Sequence, residues 1–302
     1  MLQEGQAGIE MEPKEEERPH IRLEFFRHDE KGSAKSLAGD AIPDQEVRLS
    51  ATGRAHATEL GKTKNPVPET AVAFGSRRKR ALETSYRHML ADQDIPENAS
   101  LEDIEALISK NLKGPKKGKM IEQLDFDWDT NPEFSKTARD RYTNSQDALM
   151  FMWRESDEMV KRNRDQTSDS YSRSAGKTAE LVQKYMTILP KWERVAQKNP
   201  EKFAKLGNEM QRFMGSHQTQ TETFLMKVIE KLEGEKGVED FLSSLKTKNG
   251  FEMSEGYTVN IRDENGQLAA EIKFRDKSWI VGQELIAKII AEKQELDKVV
   301  NN

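Results

Sequence analysis

The sequence predicts an α/β domain with a mainly parallel central sheet and a helical insertion over the sheet's carboxyl edge. Three observations predict it. The short apolar runs "IRLEFFR" (21–27), "AVAFG" (71–75) and "QRFMG" (211–215) each end in a polar junction that leads into a helical pattern. Strands separated by helices pair in parallel, because a parallel crossover needs a connecting element. Residues of about 131–198 carry helical patterning and no strand signal, which reads as an insertion packed over one end of the sheet. Finally, "GYTVNIRDENGQLAAEIKF" (256–274) reads as a hairpin turning at Asn265-Gly266.

The elements follow in order. Residues 21–27 alternate and include two aromatics, as a strand does. In "RLSATGRAHATELGK" (48–62), Ser50 or Thr52 can cap a helix whose body and stop suit Ala55, Leu60 and Gly61. The stretch 71–90 opens as a strand, breaks at Gly75-Ser76, and becomes a helix with Ala81, Leu82, Tyr86, Met89 and Leu90 on one side. Residues 92–134 are mixed, and their basic "KGPKKGK" (113–119) reads as a flexible loop. A helix is expected from Ser135 to about Asp165 and another over 177–198. "NEMQRFMGSHQ" (208–218) reads as a strand ending at Gly215-Ser216-His217, "TQTETFLMKVIEKL" (219–232) as an amphipathic helix, and the chain closes on a helix from about Gly282. The acidic, polar residues 1–19 read as a disordered tail and 20–302 as one domain.

Composition narrows the function. Of 302 residues, 33% are charged and 35% hydrophobic, which supports a core under a heavily charged surface. With no apolar run near 18 residues and no apolar leader, neither a membrane span nor a signal peptide is expected, and the location expected is cytoplasmic. The absence of cysteine excludes disulfides, thiolate metal sites and cysteine nucleophiles. A net charge of −5 argues against wholesale nucleic-acid binding. The oligomeric state is not encoded legibly.

Three strand-to-helix junctions stand out: Arg27-His28, Ser76 to Arg80, and Ser216-His217. Parallel strands share a carboxyl edge, where ligands bind. Arg27, His28, Arg80 and His217 would gather there, and two arginines with two imidazoles suit a tetrahedral dianion. A neutral imidazole can attack phosphorus. Arg77, Arg78 and Lys79 read as rim charges, His56 as lying on an exposed helix face, and His88 at a helix flank.

"FFRHDEKG", "RLSATGRAHATELGK", "SRRKRALETS" and "MGSHQTQTETFL" together resemble the successive motifs of the histidine phosphatase superfamily, which includes the phosphoglycerate mutases. The match falls on the Arg27-His28 pair, on Leu49, Ser50, Gly53, Ala57, Leu60 and Gly61, and on Ser76, Arg80, Ala81 and Thr84. It covers residues 21–90 well, 208–232 moderately, and 91–207 almost not at all. The resemblance implies a three-layer α/β sandwich and a two-step phosphoryl transfer without metal or other cofactor. His28 would become a phosphohistidine, while Arg27, Arg80 and His217 hold the phosphoryl oxygens. The implied substrate is a phosphorylated small molecule or a phosphoprotein. A catalytically weak protein that binds phosphorylated partners, or a phosphomutase, is the alternative.

Two motif positions depart from the pattern: Asp29 replaces the usual glycine, adding a charge beside the pocket, and His56 replaces the usual glutamine. The residue after the second histidine is Gln218, not an acid. "IEQLDFDWD" weakly resembles the stretch that carries the general acid in one branch, which makes Glu122 the candidate donor and Asp125 or Asp127 its substitutes. The cationic surroundings should favour neutral His28, opposed by Asp29 and Glu30, so an acid limb is expected near or somewhat below about 6.5.

Overall fold

A computed structural model describes residues 18–36, 38–112, 118–128 and 130–301. The tail expected over 1–19 lies outside the described residues up to position 17, as do 113–117 of the basic patch. The strands are β1 (His20–Arg27), β2 (Val72–Gly75), β3 (Gly118–Met120), β4 (Glu209–Ser216), β5 (Gly256–Glu264), β6 (Gln267–Phe274) and β7 (Lys277–Gly282). The helices that matter most for the site are α1 (Ala51–Lys62), α2 (Lys79–Met89), α7 (Tyr171–Lys198), α9 (Gln220–Ser244) and α10 (Gln283–Asn301). Between them lie α3 (Leu101–Leu112), α4 (Pro132–Asp140), α5 (Ala148–Phe151), α6 (Asp157–Asn163) and α8 (Pro200–Ala204). No described helix is long and apolar enough to cross a membrane.

The seven strands form one sheet in the order β3-β2-β4-β1-β5-β6-β7. From β3 to β1 the pairing is parallel; from β1 to β7 it is antiparallel. The sheet is therefore mixed, not mainly parallel. The reason is the chain's return after α9, which lays β5 against β1 and adds two hairpins outward. The first turns where expected, with Asn265 and Gly266 both at positive φ. The second brings in β7, which the sequence reading did not single out; nor did it single out α3 or the short strand β3, whose first two residues fell in the expected loop.

The two faces of β1 show why the sheet is covered on both sides. Ile21, Leu23 and Phe25 pack into a cluster with α7 and α9, while Phe26 on the other face packs with Leu82, Tyr86 and Met89 of α2. Ala175, Ala179, Val182, Met186 and Leu189 form one stripe of α7, in the same core as Val259 and Ile272 of the sheet. The expected insertion thus divides in two. α7 is a layer against the sheet and continues through Pro190, whereas Phe134, Ala138, Phe151, Met152 and Val160 form a smaller cluster with Leu296 and Val300 of α10. The helix after His217 also differs from expectation: residues 220–229 are all buried, so its first turns have no exposed polar face.

Two glycines position α2. A Cβ on Gly75 would lie 2.4 Å from Leu82 N, and one on Gly215 would lie 2.2 Å from Ala81 O. The first turn of α2 therefore rests directly on the ends of β2 and β4 and carries Arg80 to the carboxyl edge.

Candidate active site

β2, β4 and β1 are consecutive in the sheet, so their carboxyl ends present three junctions side by side. Arg27 lies opposite Ser216, and His28 N–H donates to Ser216 O at 2.9 Å. The next residues, His28 and His217, face each other with ring centroids 5.1 Å apart and planes at 70°. Arg80 reaches His28 from α2. Arg27 donates through Nη1 to Phe251 O at 2.7 Å, and its Nε is buried without a partner. The fold thus brings His28, Arg80 and His217 together, with Arg27 at the end of β1 beside them.

Two contacts fix the protonation of His28. Its Nδ1 lies 2.7 Å from Asp29 O, an acceptor only, so Nδ1 carries the hydrogen. Its Nε2 receives Arg80 Nε–H at 3.1 Å, so that nitrogen presents a lone pair. Burial, then the charge of Arg80, lower the His28 pKa to about 3, with Arg27 and Arg78 adding to the effect and the Asp29 carbonyl opposing it. The ring is neutral across the physiological range, and protonation of His28 falls well below the expected 6.5, because burial and the neighbouring arginines act in the same direction. His217 is also held well below 6.5, first by burial and then by His28. Its Nε2 sits 2.7 Å from Ser76 Oγ.

Arg78 and Asp44 also belong to this site, and sequence reasoning missed both roles. Arg78 turns inward, where its Nε donates to Asp44 Oδ2 at 2.8 Å. Arg80 Nη2 donates to the same oxygen at 3.0 Å, and Arg80 Nη1 donates to Asp44 O at 2.7 Å. Burial pushes the Asp44 carboxyl up, but the hydrogen bonds and charges of Arg80 and Arg78 outweigh it and hold the group at about 2. Arg77 faces away to Asp125, and Lys79 pairs with Glu46 at 2.6 Å.

Asp29 does not place its charge in the pocket. It is 1% exposed, and its Oδ2 receives Ser254 Oγ–H at 2.5 Å and His56 Nδ1–H at 2.6 Å. Its Oδ1 accepts Glu30 N–H at 2.7 Å. The two departures from the motif are thus partners of each other. His56 lies exposed on α1 as expected, with its Nδ1 edge turned to Asp29, whereas His88, expected at a helix flank, is fully buried with Nε2 3.3 Å from Ser254 Oγ. Since Asp29 O also holds His28 Nδ1, this run of hydrogen bonds fixes the turn that carries His28.

No protein-family model and no curated protein matches the chain. Solved structures do. One is a mycobacterial hydrolase, 13% identical, covering 91% of this chain and 98% of its own with a TM-score of 0.43. Another is the native mycobacterial glucosyl-3-phosphoglycerate phosphatase, 13% identical, covering 80% and 90% with a TM-score of 0.38. A third is a complex of that phosphatase with inorganic phosphate, 11% identical, covering 85% and 97% with a TM-score of 0.40. The structural neighbours include histidine phosphatase superfamily members. At this overlap the likeness adds no weight to the residue geometry.

The carboxylates are distributed unevenly around the site. Glu122 is exposed at the start of a single helical turn, Glu122–Leu124. Asp125 is buried and taken up by Arg77. Gln218 is committed on both ends, accepting Tyr142 Oη–H at 2.7 Å and donating to Phe251 O at 3.1 Å. Glu222, in the first turn of α9, is fully buried. Its Oε1 accepts Phe251 N–H while Oε2 has no partner, and burial raises its carboxyl to about 7 against the pull of that hydrogen bond and of Arg27.

Proposed function

We propose that the chain is a phosphatase that hydrolyses a phosphomonoester through a phosphohistidine on His28. One observation carries this reading: His28 is held as the Nδ1–H tautomer, with its Nε2 lone pair directed at the Arg80 guanidinium. A neutral imidazole beside an arginine fork is a nucleophile placed where a phosphoryl group binds.

In the first step Nε2 attacks phosphorus and the bond to the leaving oxygen breaks. Arg80, Arg27 and His217 stabilise the charge on the three equatorial oxygens. The leaving oxygen takes a proton from a carboxylic acid, for which Glu122 is the candidate. In the second step water attacks the phosphohistidine, the P–N bond breaks, phosphate leaves, and the water proton returns to the carboxylate. The imidazole itself attacks, so the reaction as proposed uses no metal. The substrate is a phosphorylated small molecule or phosphoprotein.

Turnover of para-nitrophenyl phosphate by the wild type and by His28→Ala tests the reading. Wild-type turnover with an acid-labile phosphoenzyme, both lost in the variant, is the expected result. A phosphoenzyme that survives His28→Ala means a different nucleophile. Tight phosphate binding without turnover in the wild type means a phosphate-binding protein instead. Glu122→Gln should slow alkyl phosphates by about 10²-fold or more while sparing para-nitrophenyl phosphate, whose leaving group needs no proton.

A further inference from the structure

The Asp44 carboxylate lies where a phosphoryl oxygen would be held. The Arg80 guanidinium faces two ways, with Nε toward His28 and Nη2 toward Asp44 Oδ2. Arg78 Nε closes on the same oxygen. A phosphoryl group on its way to His28 Nε2 needs these donors, so ligand and carboxylate compete for them. We propose that Asp44 is an internal anion that occupies the phosphoryl cradle between turnovers and sets the charge a ligand needs to enter it. The proposal rests on the phosphoryl-site reading above.

The burial of the partners makes the exchange workable. The Arg80 side chain is 7% exposed, and a buried cation without an anion is costly. Asp44 keeps it paired when the site is empty. The Asp44 side chain is 51% exposed, so on release it meets water directly. The backbone does not have to move with it: Arg80 Nη1 holds Asp44 O, and Lys79 N–H donates to Gln45 O at 2.9 Å. Rotation of one side chain opens the cradle. A dianionic phosphoryl group brings twice the charge of the carboxylate and fits the arginine forks. A singly charged oxyanion exchanges one charge for another and gains nothing, so the site discriminates by charge as well as by shape.

The test uses the full chain as wild type, Asp44→Asn, Asp44→Ser and Arg80→Gln. Calorimetry measures binding of inorganic phosphate and of methanesulfonate, a singly charged tetrahedral oxyanion. Both Asp44 variants should bind phosphate at least about tenfold tighter, as expected when competing charge-assisted hydrogen bonds are removed. They should also bind methanesulfonate, which the wild type does not. Without anion the Asp44 variants should melt lower than the wild type, and saturating phosphate should restore them, because binding to the folded state stabilises it. If the wild type binds phosphate and both variants bind it equally or more weakly, Asp44 is not a competitor and the proposal fails. If neither the wild type nor the Asp44 variants bind phosphate, and Arg80→Gln behaves identically, the phosphoryl-site reading itself fails.

Discussion

Glu222→Gln should make this protein more stable at alkaline pH and leave it unchanged in mild acid. Glu222 is fully buried, one of its oxygens has no partner, and its carboxyl is raised from 4.5 to about 7. The folded state therefore keeps its proton across a window in which the unfolded chain gives it up. Stability from this group is fully present below 4.5 and declines as pH rises to about 7. Each pH unit of that window is worth about 1.4 kcal/mol, so ionised Glu222 costs the folded state roughly 3 kcal/mol. Glutamine does not titrate, and its amide oxygen can still accept Phe251 N–H. The variant should gain about 1–3 kcal/mol at pH 8 and almost nothing at about pH 4.5. Urea unfolding of both proteins at several pH values measures the difference directly. A difference that stays constant with pH, or a variant less stable at pH 8, would refute the reasoning.

Three further outcomes follow from the same geometry. With His28 held at about 3 in the free protein, kcat/KM for para-nitrophenyl phosphate should show no His28 titration between pH 8 and 5; a limb centred near 6.5 assigned to His28 would mean that the ring is far more solvated than its contacts imply. Asp29→Ala strips partners from Ser254, His56 and Glu30 N–H and should cost about 2–4 kcal/mol in urea unfolding together with most of kcat, whereas His56→Gln should cost no more than about 1 kcal/mol. Gly215→Ala should cost about 3 kcal/mol by pushing α2 outward and should weaken vanadate binding, while Gly282→Ala, with open space around its Cβ, should do neither. Equal effects in the two glycine variants would remove the close packing of α2 as the cause.

The legible parts of the fold were those written locally. Residues 21–28, 48–62, 71–90 and 208–217 each hold a strand, a junction or a cap within one short window, and Ser50 does cap α1 through Gly53 N–H. His28, Arg80 and His217 were legible because they sit at those junctions. What escaped depends on contacts far apart in sequence. Asp44 meets arginines 34 and 36 positions away, and nothing near it in sequence marks that pairing. Asp29 looked like a pocket charge because its partners, His56 and Ser254, are 27 and 225 positions distant. His88 read as standing at a helix flank, but every residue from Arg80 to Met89 is buried, since α2 has neighbours on all sides. In the antiparallel half of the sheet the β5–β6 hairpin was legible from Asn265-Gly266, but the pairing of β5 with β1 and the addition of β7 were not, because alternation identifies a strand but not its neighbour.

The place of β4 has a consequence for how the protein is made. It lies between β2 and β1 and pairs with both, yet it begins at Glu209, long after β2 has ended at Gly75. A nascent chain carrying only β1 and β2 has no strand to join them, and each must wait with an open edge. Such edges template association between chains, and pairings of long sequence separation form slowly. The helices of residues 132–198 emerge during that wait. Because His217 leaves the end of β4 while His28 and Arg80 follow β1 and β2, the site is assembled only when that central strand docks. Convergence of His28, Arg80 and His217 would thus report the docking of β4, and truncated or stalled chains would carry His28 without its surroundings.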